Sequence, residues 1–414
     1  MIHDANWIGT ALKAARPRAV AALLRYFGNV ELAEEAYQEA CLKALDRWPT
    51  QVPPRNPTAW LILVGRNVGI DGLRRIARET HLPEAMAPPV ELIEDELAES
   101  IDAASYGDDV LRLLFICCHP DLPATQQIAL ALRVVSGLSV AEIARAFLVS
   151  EAAMEQRITR AKRTVGQADV MFETPSQSAR VQRLAAVSAM IYLTFNNGYD
   201  ASSREAGHKQ PLCDEAIRLG RLLLQLFPDE PEVLGLLALM RLQHSRAVAR
   251  FDTAGAIVLL EDQDRRLWDR AAIADGVALT HRAFRLRRLG PYQLQAAIAT
   301  LHARARNFEE TDWGQIEQLY RALADFEPTP VVALNHAVAV SRARSPEEAF
   351  ALVEPLASQL ATYFYYHAVR GHLLERIGRD DEARQAYAAS LGMATSAAEA
   401  TQIRTCLDRL KRGR

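Results

Sequence analysis

Between Ser150 and Arg163 the chain reads Ser-Glu-Ala-Ala-Met-Glu-Gln-Arg-Ile-Thr-Arg-Ala-Lys-Arg. Wound as a helix, this spacing presents Gln156, Arg157, Arg160, Lys162 and Arg163 as one polar, basic face, while Met154 and Ile158 turn away from it. Glutamine and arginine hydrogen-bond to base edges, and arginine and lysine neutralise phosphates. The chemistry on offer is therefore recognition of duplex DNA in a major groove. Glu151 and Glu155 offset part of that charge and suit the positive end of a helix dipole. Residue types alone leave a merely structural helical hairpin open as the alternative.

Two earlier segments offer different chemistry. Trp60 and the cations Arg66, Arg74, Arg75 and Arg78 combine an aromatic ring with positive charge, as a surface for unpaired nucleic acid requires. Asp71 and Arg75 could equally form an ordinary i,i+4 ion pair. Upstream, Glu35, Gln38, Glu39, Leu42 and Asp46 share one helical face, acidic with a single leucine. That face is either plain solvated surface or a docking face in which Leu42 anchors and the acids select a basic partner.

Two clusters look chemical and lack the company chemistry needs. Glu261, Asp262, Asp264, Arg265, Arg266, Trp268, Asp269 and Arg270 include paired carboxylates, yet no nucleophile motif or phosphate loop accompanies them. Alternating acids and arginines of this kind read as a salt-bridge network at a helix junction. Cys117-Cys118-His119 has no second ligand pair at metal-binding spacing, so the thiols read as buried ends of an apolar helix. Neither enzyme activity, nor a metal, nor a cofactor is expected.

The elements that must position these residues are helices. Ala33, Ala36, Tyr37, Ala40, Cys41, Ala44, Leu45 and Trp48 recur as an apolar stripe that stops at Trp48-Pro49. Asn56-Pro57 opens the next helix, with Leu61, Val64, Val68 and Gly72 along one seam. Pro123 to Val135 forms an amphipathic helix stopped by Ser136-Gly137. Ser139, with Glu142 at the capping-box position, then starts a short helix to Phe147. A turn at Leu148-Val149, where glycine is usual, leads to Ser150 as the next cap. Ile143, Ala144, Phe147, Val149, Met154 and Ile158 fall where two crossed helices must bury side chains.

Composition sets the frame. The chain has 414 residues, enough for two or three domains, and is half apolar with 24% charged residues, as a folded protein is. The abundance of alanine, leucine and arginine favours an all-α fold. A net charge of −3 is poor for gripping DNA unaided, so a partner must supply most phosphate contacts. No leader-like N-terminus and no uninterrupted run of about 18 apolar residues occurs, and the five cysteines form no disulfide framework. A cytoplasmic protein with no membrane segment is expected. Four blocks emerge: a helical unit over 1–79, an acidic linker over 80–109 with nine acids and no Lys or Arg, a second helical unit over 110–168, and a larger helical region over 176–414.

The order of these pieces resembles the two conserved regions of sigma-70-family factors in their minimal, extracytoplasmic-function form. Ala33-Glu-Glu-Ala-Tyr-Gln-Glu-Ala-Cys-Leu-Lys-Ala-Leu45 looks like that family's polymerase-binding segment, the Arg66-Asn67-x3-Asp71-x2-Arg74-Arg75 helix like its promoter-melting segment, and Ser150 to Arg163 like its −35 recognition helix. The resemblance implies contact of Glu35, Gln38, Glu39 and Leu42 with core RNA polymerase. It implies −10 element recognition by Trp60, Arg66, Asn67, Asp71, Arg74 and Arg75. Ser150, Gln156, Arg157, Arg160, Lys162 and Arg163 would face the −35 promoter DNA. The acidic linker fits a segment that threads the cleft later filled by RNA. Beyond residue 166 the chain resembles the long C-terminal extension of one sigma subgroup, through Tyr192-Leu-Thr-Phe-Asn-Asn-Gly-Tyr199, Leu260 to Arg270 and Gly290-Pro-Tyr-Gln-Leu-Gln-Ala-Ala-Ile298.

Within that extension, residues 331–391 align with themselves at 34 residues. The pairs are Leu334/Ala368, Ala337/Gly371, Val340/Leu374, Glu348/Glu382, Ala349/Ala383 and Val353/Tyr387. The period and the small residues are those of tetratricopeptide-like helix pairs, which offer a concave surface to a peptide or another domain. The expectation is a sigma factor with a fused domain that regulates or supports it. A helix-turn-helix regulator acting without polymerase and a helical-repeat interaction scaffold are the alternatives.

Overall fold

The computed structural model describes residues 5–50, 54–79, 103–147, 149–167, 177–199, 203–252 and 256–412. Among these the regular structure is helical, and the β pairing amounts to an isolated bridge between Phe251 and Ile257. The chain divides into two compact units, residues 1–193 and 194–414. No helix of the described residues is long and apolar enough to cross a membrane.

The first unit begins with α1 (Ala5–Phe27), α2 (Val30–Arg47) and α3 (Pro57–Glu79), which pack on one another in all three pairings. Asn29 caps α2 by accepting from the Glu31 and Leu32 amides, and Asn56 caps α3 through the Ala59 amide. The α2 stripe buries Ala33, Ala36, Tyr37, Ala40, Ala44 and Trp48, with Cys41 half-buried. Leu45, expected in that stripe, is 52% exposed. It sits at the edge of the seam, one turn beyond Leu42 on the outer face. On α3 the close approach runs through glycines. A Cβ at Gly69 would lie 2.3 Å from the Phe27 ring, and one at Gly65 3.0 Å from the Ala36 carbonyl. The face packed on α1 and α2 is therefore Leu61, Ile62, Gly65 and Gly69, one position away from the expected Leu61–Val64–Val68 seam.

The same unit continues with α4 (Ala103–Cys117), α5 (Ala124–Val134), α6 (Val140–Ala146) and α7 (Glu151–Gln167). Helix α4 starts inside the acidic stretch, so Asp108 and Asp109 are helical, and the linker residues 80–102 lie outside the described residues. Ser139 and Glu142 form a reciprocal capping box at α6, and Ser150 Oγ accepts from the Ala153 amide at α7. Ile143, Ala144, Met154 and Ile158 are buried where α6 crosses α7, with Phe147 and Val149 half-buried. Leu148 lies outside the described residues. Gly137 ends the α5 segment at φ +75°, a left-handed turn that glycine enters without penalty. Cys117 and Cys118 are buried, and burial pushes the Cys118 thiol up to about 12 and Cys117 well above its usual range. Helix α8 (Gln177–Tyr199) runs from the first unit into the second.

The second unit holds α9 (Ser203–Leu226), α10 (Pro231–His244), α11 (Arg270–Arg285), α12 (Pro291–Arg304), α13 (Trp313–Phe326), α14 (Pro330–Ala343), α15 (Pro346–Val353), α16 (Phe364–Ile377), α17 (Asp380–Met393) and α18 (Ala397–Arg412). Each helix packs on its successor. The 34-residue phase is visible in the helix starts, Pro330 with Phe364 and Pro346 with Asp380. Leu334, Ala337, Val340, Ala349 and Val353 in one pair, and Gly371, Leu374, Ala383 and Tyr387 in the next, are buried.

Candidate nucleic-acid interface

On α7, the Ser150 cap fixes where the helix begins, and Met154, Ile158, Ala161 and Val165 bury one side of it. The rotation this imposes brings Gln156, Arg160 and Arg163 to the surface at i, i+4, i+7, all exposed, with Arg157 half-exposed beside them. Ser150 is exposed at the start of the helix. A donor-rich stripe of this kind on the second helix of a helix-turn-helix can reach base edges and phosphates together.

Lys162 departs from its neighbours. Its Nζ lies 2.6 Å from Oε2 of Glu34, a carboxylate on α2 that is 3% exposed. Arg16 on α1 reaches the same carboxylate at 2.8 Å, and Arg133 on α5 lies 3.8 Å from it. Arg16 also donates from Nε to the Val134 carbonyl and from Nη2 to the Arg133 carbonyl. These are carbonyls of the last turn of α5, where the helix presents its negative end. The Arg16 guanidinium packs 5.0 Å from the Tyr37 ring centre, whose hydroxyl donates to the Leu12 carbonyl. Burial pulls the Arg16 pKa down and Glu34 restores part of it. Sequence reasoning missed Arg16, Glu34 and Arg133. One signal was present: Glu34 precedes Tyr37 and Cys41 at i+3 and i+7, so a lone acid stood on the inward seam.

The outer face of α2 is an exposed stripe of Glu35, Gln38, Glu39, Leu42, Leu45 and Asp46, with Leu42 at 59%. Two leucines a turn apart, ringed by acids, give an apolar anchor in a negative frame. On α3, Trp60 is half-buried and packs edge-on to Trp48 at 5.3 Å, which itself meets Trp7 at 5.8 Å. Trp60 is thus held in a tryptophan cluster with part of its ring outward. Arg66 stacks 4.7 Å over the Tyr26 ring. Asn67 is half-buried and Asp71 exposed on the same helix. Arg74 and Arg75 belong to α3, and their side chains lie outside the described residues. Tyr26 and Arg66 together present a ring and a cation at the surface, the combination that holds an unpaired base and its phosphate.

In the second unit the cluster over residues 261–270 is taken up by structure. Asp264 caps a 3-10 turn and pairs with Arg266, and these bonds hold its carboxyl down to about 2. Asp269 caps α11 at the Ala272 amide, and Glu261 pairs with Arg342 at 2.7 Å. Arg265 donates to the carbonyls of His302 and Ala305 and stacks on Trp268. The arrangement is a junction between helices, as the alternating charges suggested.

Residues 12–79 match the model for Sigma-70 region 2 and residues 112–165 the model for Sigma-70, region 4. Residues 183–284 match a family of unknown function. Over 408 residues the chain is 61% identical to an uncharacterized protein of Rhizobium meliloti (strain 1021), covering 98% of this chain and 96% of that one.

Proposed function

We propose that the chain, two segments of which match Sigma-70 region 2 and Sigma-70, region 4, is a sigma-70-family factor of the extracytoplasmic-function type directing promoter-specific transcription initiation, with its C-terminal unit acting on that assembly in cis. The first three helices dock on core polymerase through Glu35, Gln38, Glu39 and Leu42. They hold the melted −10 strand with Trp60, Arg66, Asn67, Asp71, Arg74 and Arg75. Helix α7 reads the −35 duplex with Ser150, Gln156, Arg157, Arg160, Lys162 and Arg163. A net charge of −3 supports a factor that leaves most phosphate contacts to the polymerase.

The observation that carries this reading is the pairing of two exposed surfaces in one chain: the acid-ringed Leu42 and Leu45 on α2, and the Gln156, Arg160 and Arg163 stripe on α7. One suits a protein partner and the other a duplex. The helix pairs that restart at 34 residues support a tetratricopeptide-like C-terminal unit offering its surface to a peptide or a neighbouring domain.

The deciding experiment is in vitro transcription with sigma-free core polymerase on genomic fragments, with start sites mapped. Discrete starts that depend on the chain are expected. Duplex binding by the chain alone, with no stable complex with core polymerase, would overturn the reading. Removing residues 200–414 while keeping α8 tests the role in cis, and unchanged transcription would remove it.

A further inference from the structure

Three helices of the second unit, α9, α10 and α11, line an open cavity of about 460 Å³. Its apolar lining is Leu237 from α10 with Ala278 and Leu279 from α11. Its charged lining is Arg221 from α9, Arg241 from α10, and Arg282 and Arg285 from α11, against the single carboxylate of Asp275. Positions 275, 278, 282 and 285 recur at three and four residues, so α11 turns one stripe of its surface to the cavity.

Half of that positive charge is unmatched. Arg241 donates to Asp275 at 2.7 Å, yet its Nε is buried and meets no acceptor. Arg282 gives Nη2 to the Pro228 carbonyl at 2.6 Å and lies 3.4 Å from the Asp229 carboxylate, at the α9–α10 turn. Arg221 and Arg285 are exposed and have no ion-pair partner among the described residues. Helix ends attract cations, which accounts for Arg241 in the last turn of α10 and for Arg282 and Arg285 in that of α11. It does not account for Arg221, which stands before the last turn of α9 and lines the same cavity. A buried donor with no acceptor is costly, and the Arg241 Nε calls for a partner that the fold does not supply.

We propose that this cavity is a binding site for a small phosphate ester, its phosphate held by the four arginines and its organic body resting on Leu237, Ala278 and Leu279. A phosphate monoester carries about −1.5 to −2 at neutral pH, which matches the two positive charges left after Asp275 and Asp229 are counted. A lone carboxylate brings one charge and leaves the other cation unmatched. The planar guanidinium offers paired donors to an oxyanion, a task that arginine performs better than lysine. The volume falls within the range of about 300–1,000 Å³ typical of small-molecule sites. The site belongs wholly to the second unit and uses none of the residues assigned to polymerase or promoter, so its test needs neither.

That test is calorimetric titration of the full chain with phenyl phosphate, inorganic phosphate and benzoate. Phenyl phosphate is expected to bind about tenfold tighter than benzoate, which has the same ring and less charge, and tighter than inorganic phosphate, which lacks the ring. Arg221→Gln combined with Arg285→Gln should weaken phenyl phosphate about tenfold. Both side chains are exposed, so the thermal melt without ligand is expected to stay where it is. Ala278→Glu, at an exposed position of the lining, adds an anion and should abolish binding by a separate route. Phenyl phosphate bound no tighter than benzoate or than inorganic phosphate overturns the proposal, as does binding that survives both variants. Failure of phenyl phosphate to bind wild type overturns it too, and binding of a synthetic acidic peptide of residues 80–102 in its place would make the cavity a peptide groove.

Discussion

The guanidinium of Arg66 lies 4.7 Å over the ring of Tyr26, so a cation of α3 is oriented by an aromatic side chain of α1. A contact of this kind contributes about 0.5–1 kcal/mol at a partly exposed site. Tyr26→Leu should therefore slow strand capture about two- to fivefold, with Arg66→Ala costing more. Permanganate reactivity of −10 thymines in the polymerase complex measures both. Equal behaviour of Tyr26→Leu and wild type would show that the stack does not position Arg66.

Leu42 is 59% exposed, on the face of α2 opposite its buried stripe. Leu42→Asp should leave the fold intact and weaken binding to core polymerase by about 2 kcal/mol, the scale of an interface anchor. Competition against a labelled sigma factor, with a thermal melt as control, separates the two effects. A fall in melting temperature with unchanged core affinity would assign Leu42 to the fold instead.

Arg160 is exposed on α7 between Gln156 and Arg163. Arg160→Ala should cost about 1–3 kcal/mol on a promoter with its proper −35 element and nothing on a template whose −35 element is scrambled. Abortive transcription on the two templates checks it. An equal loss on both would mean that Arg160 serves affinity without reading sequence.

His302 is buried among cations, and burial, with Arg246 and Arg265, pulls its pKa down to about 3. The folded chain binds this proton less readily than the unfolded chain does. Stability is thus fully present above pH about 6.5 and falls as pH drops towards 3. Between pH 7 and pH 5 the loss from this group is about 2 kcal/mol. His244, His336 and His372 are lowered mainly by burial and act in the same direction. Denaturant unfolding of the second unit at both pH values, with His302→Leu for comparison, should show a shallower pH dependence in the variant. An unaltered slope would exclude His302 as a source.

Gly371 on α16 faces the Tyr387 ring of α17, and a Cβ there would lie 2.8 Å from it. The Tyr387 hydroxyl is tied to Glu375 at 2.8 Å, so the ring has little freedom to retreat. Gly371→Ala should destabilise the C-terminal helix pairs by about 1–3 kcal/mol through overpacking, despite the better helix propensity of alanine. Calorimetry of the full chain measures it, and a rise in stability would contradict the packing argument.

Much of the architecture was legible because it rests on local interactions. The Ser139–Glu142 capping box, the Asn56-Pro57 start of α3 and the Ser150 cap of α7 all join groups within one helical turn. The 34-residue phase was equally readable, since buried small residues must recur with the helices they join. The seam of α3 was harder. Val64 and Val68 are better hydrophobes than Gly65 and Gly69, yet the glycines face the bundle because a side chain would meet the Ala36 carbonyl of α2 at 65 and the Phe27 ring of α1 at 69.

By itself, the order of residues determined that the chain is helical, where its helices begin, and that one basic helix follows a capped turn. Those properties are set by periodicity and by caps that reach no further than a few residues. Only the tertiary structure decided that Lys162 turns from the recognition stripe to a buried carboxylate, and that Arg16 bonds a carbonyl 118 positions away. A charge on a helix surface has the same sequence signature whether it meets solvent, DNA or an acid from a distant helix. Which of these it meets depends on desolvation and packing across the assembled fold.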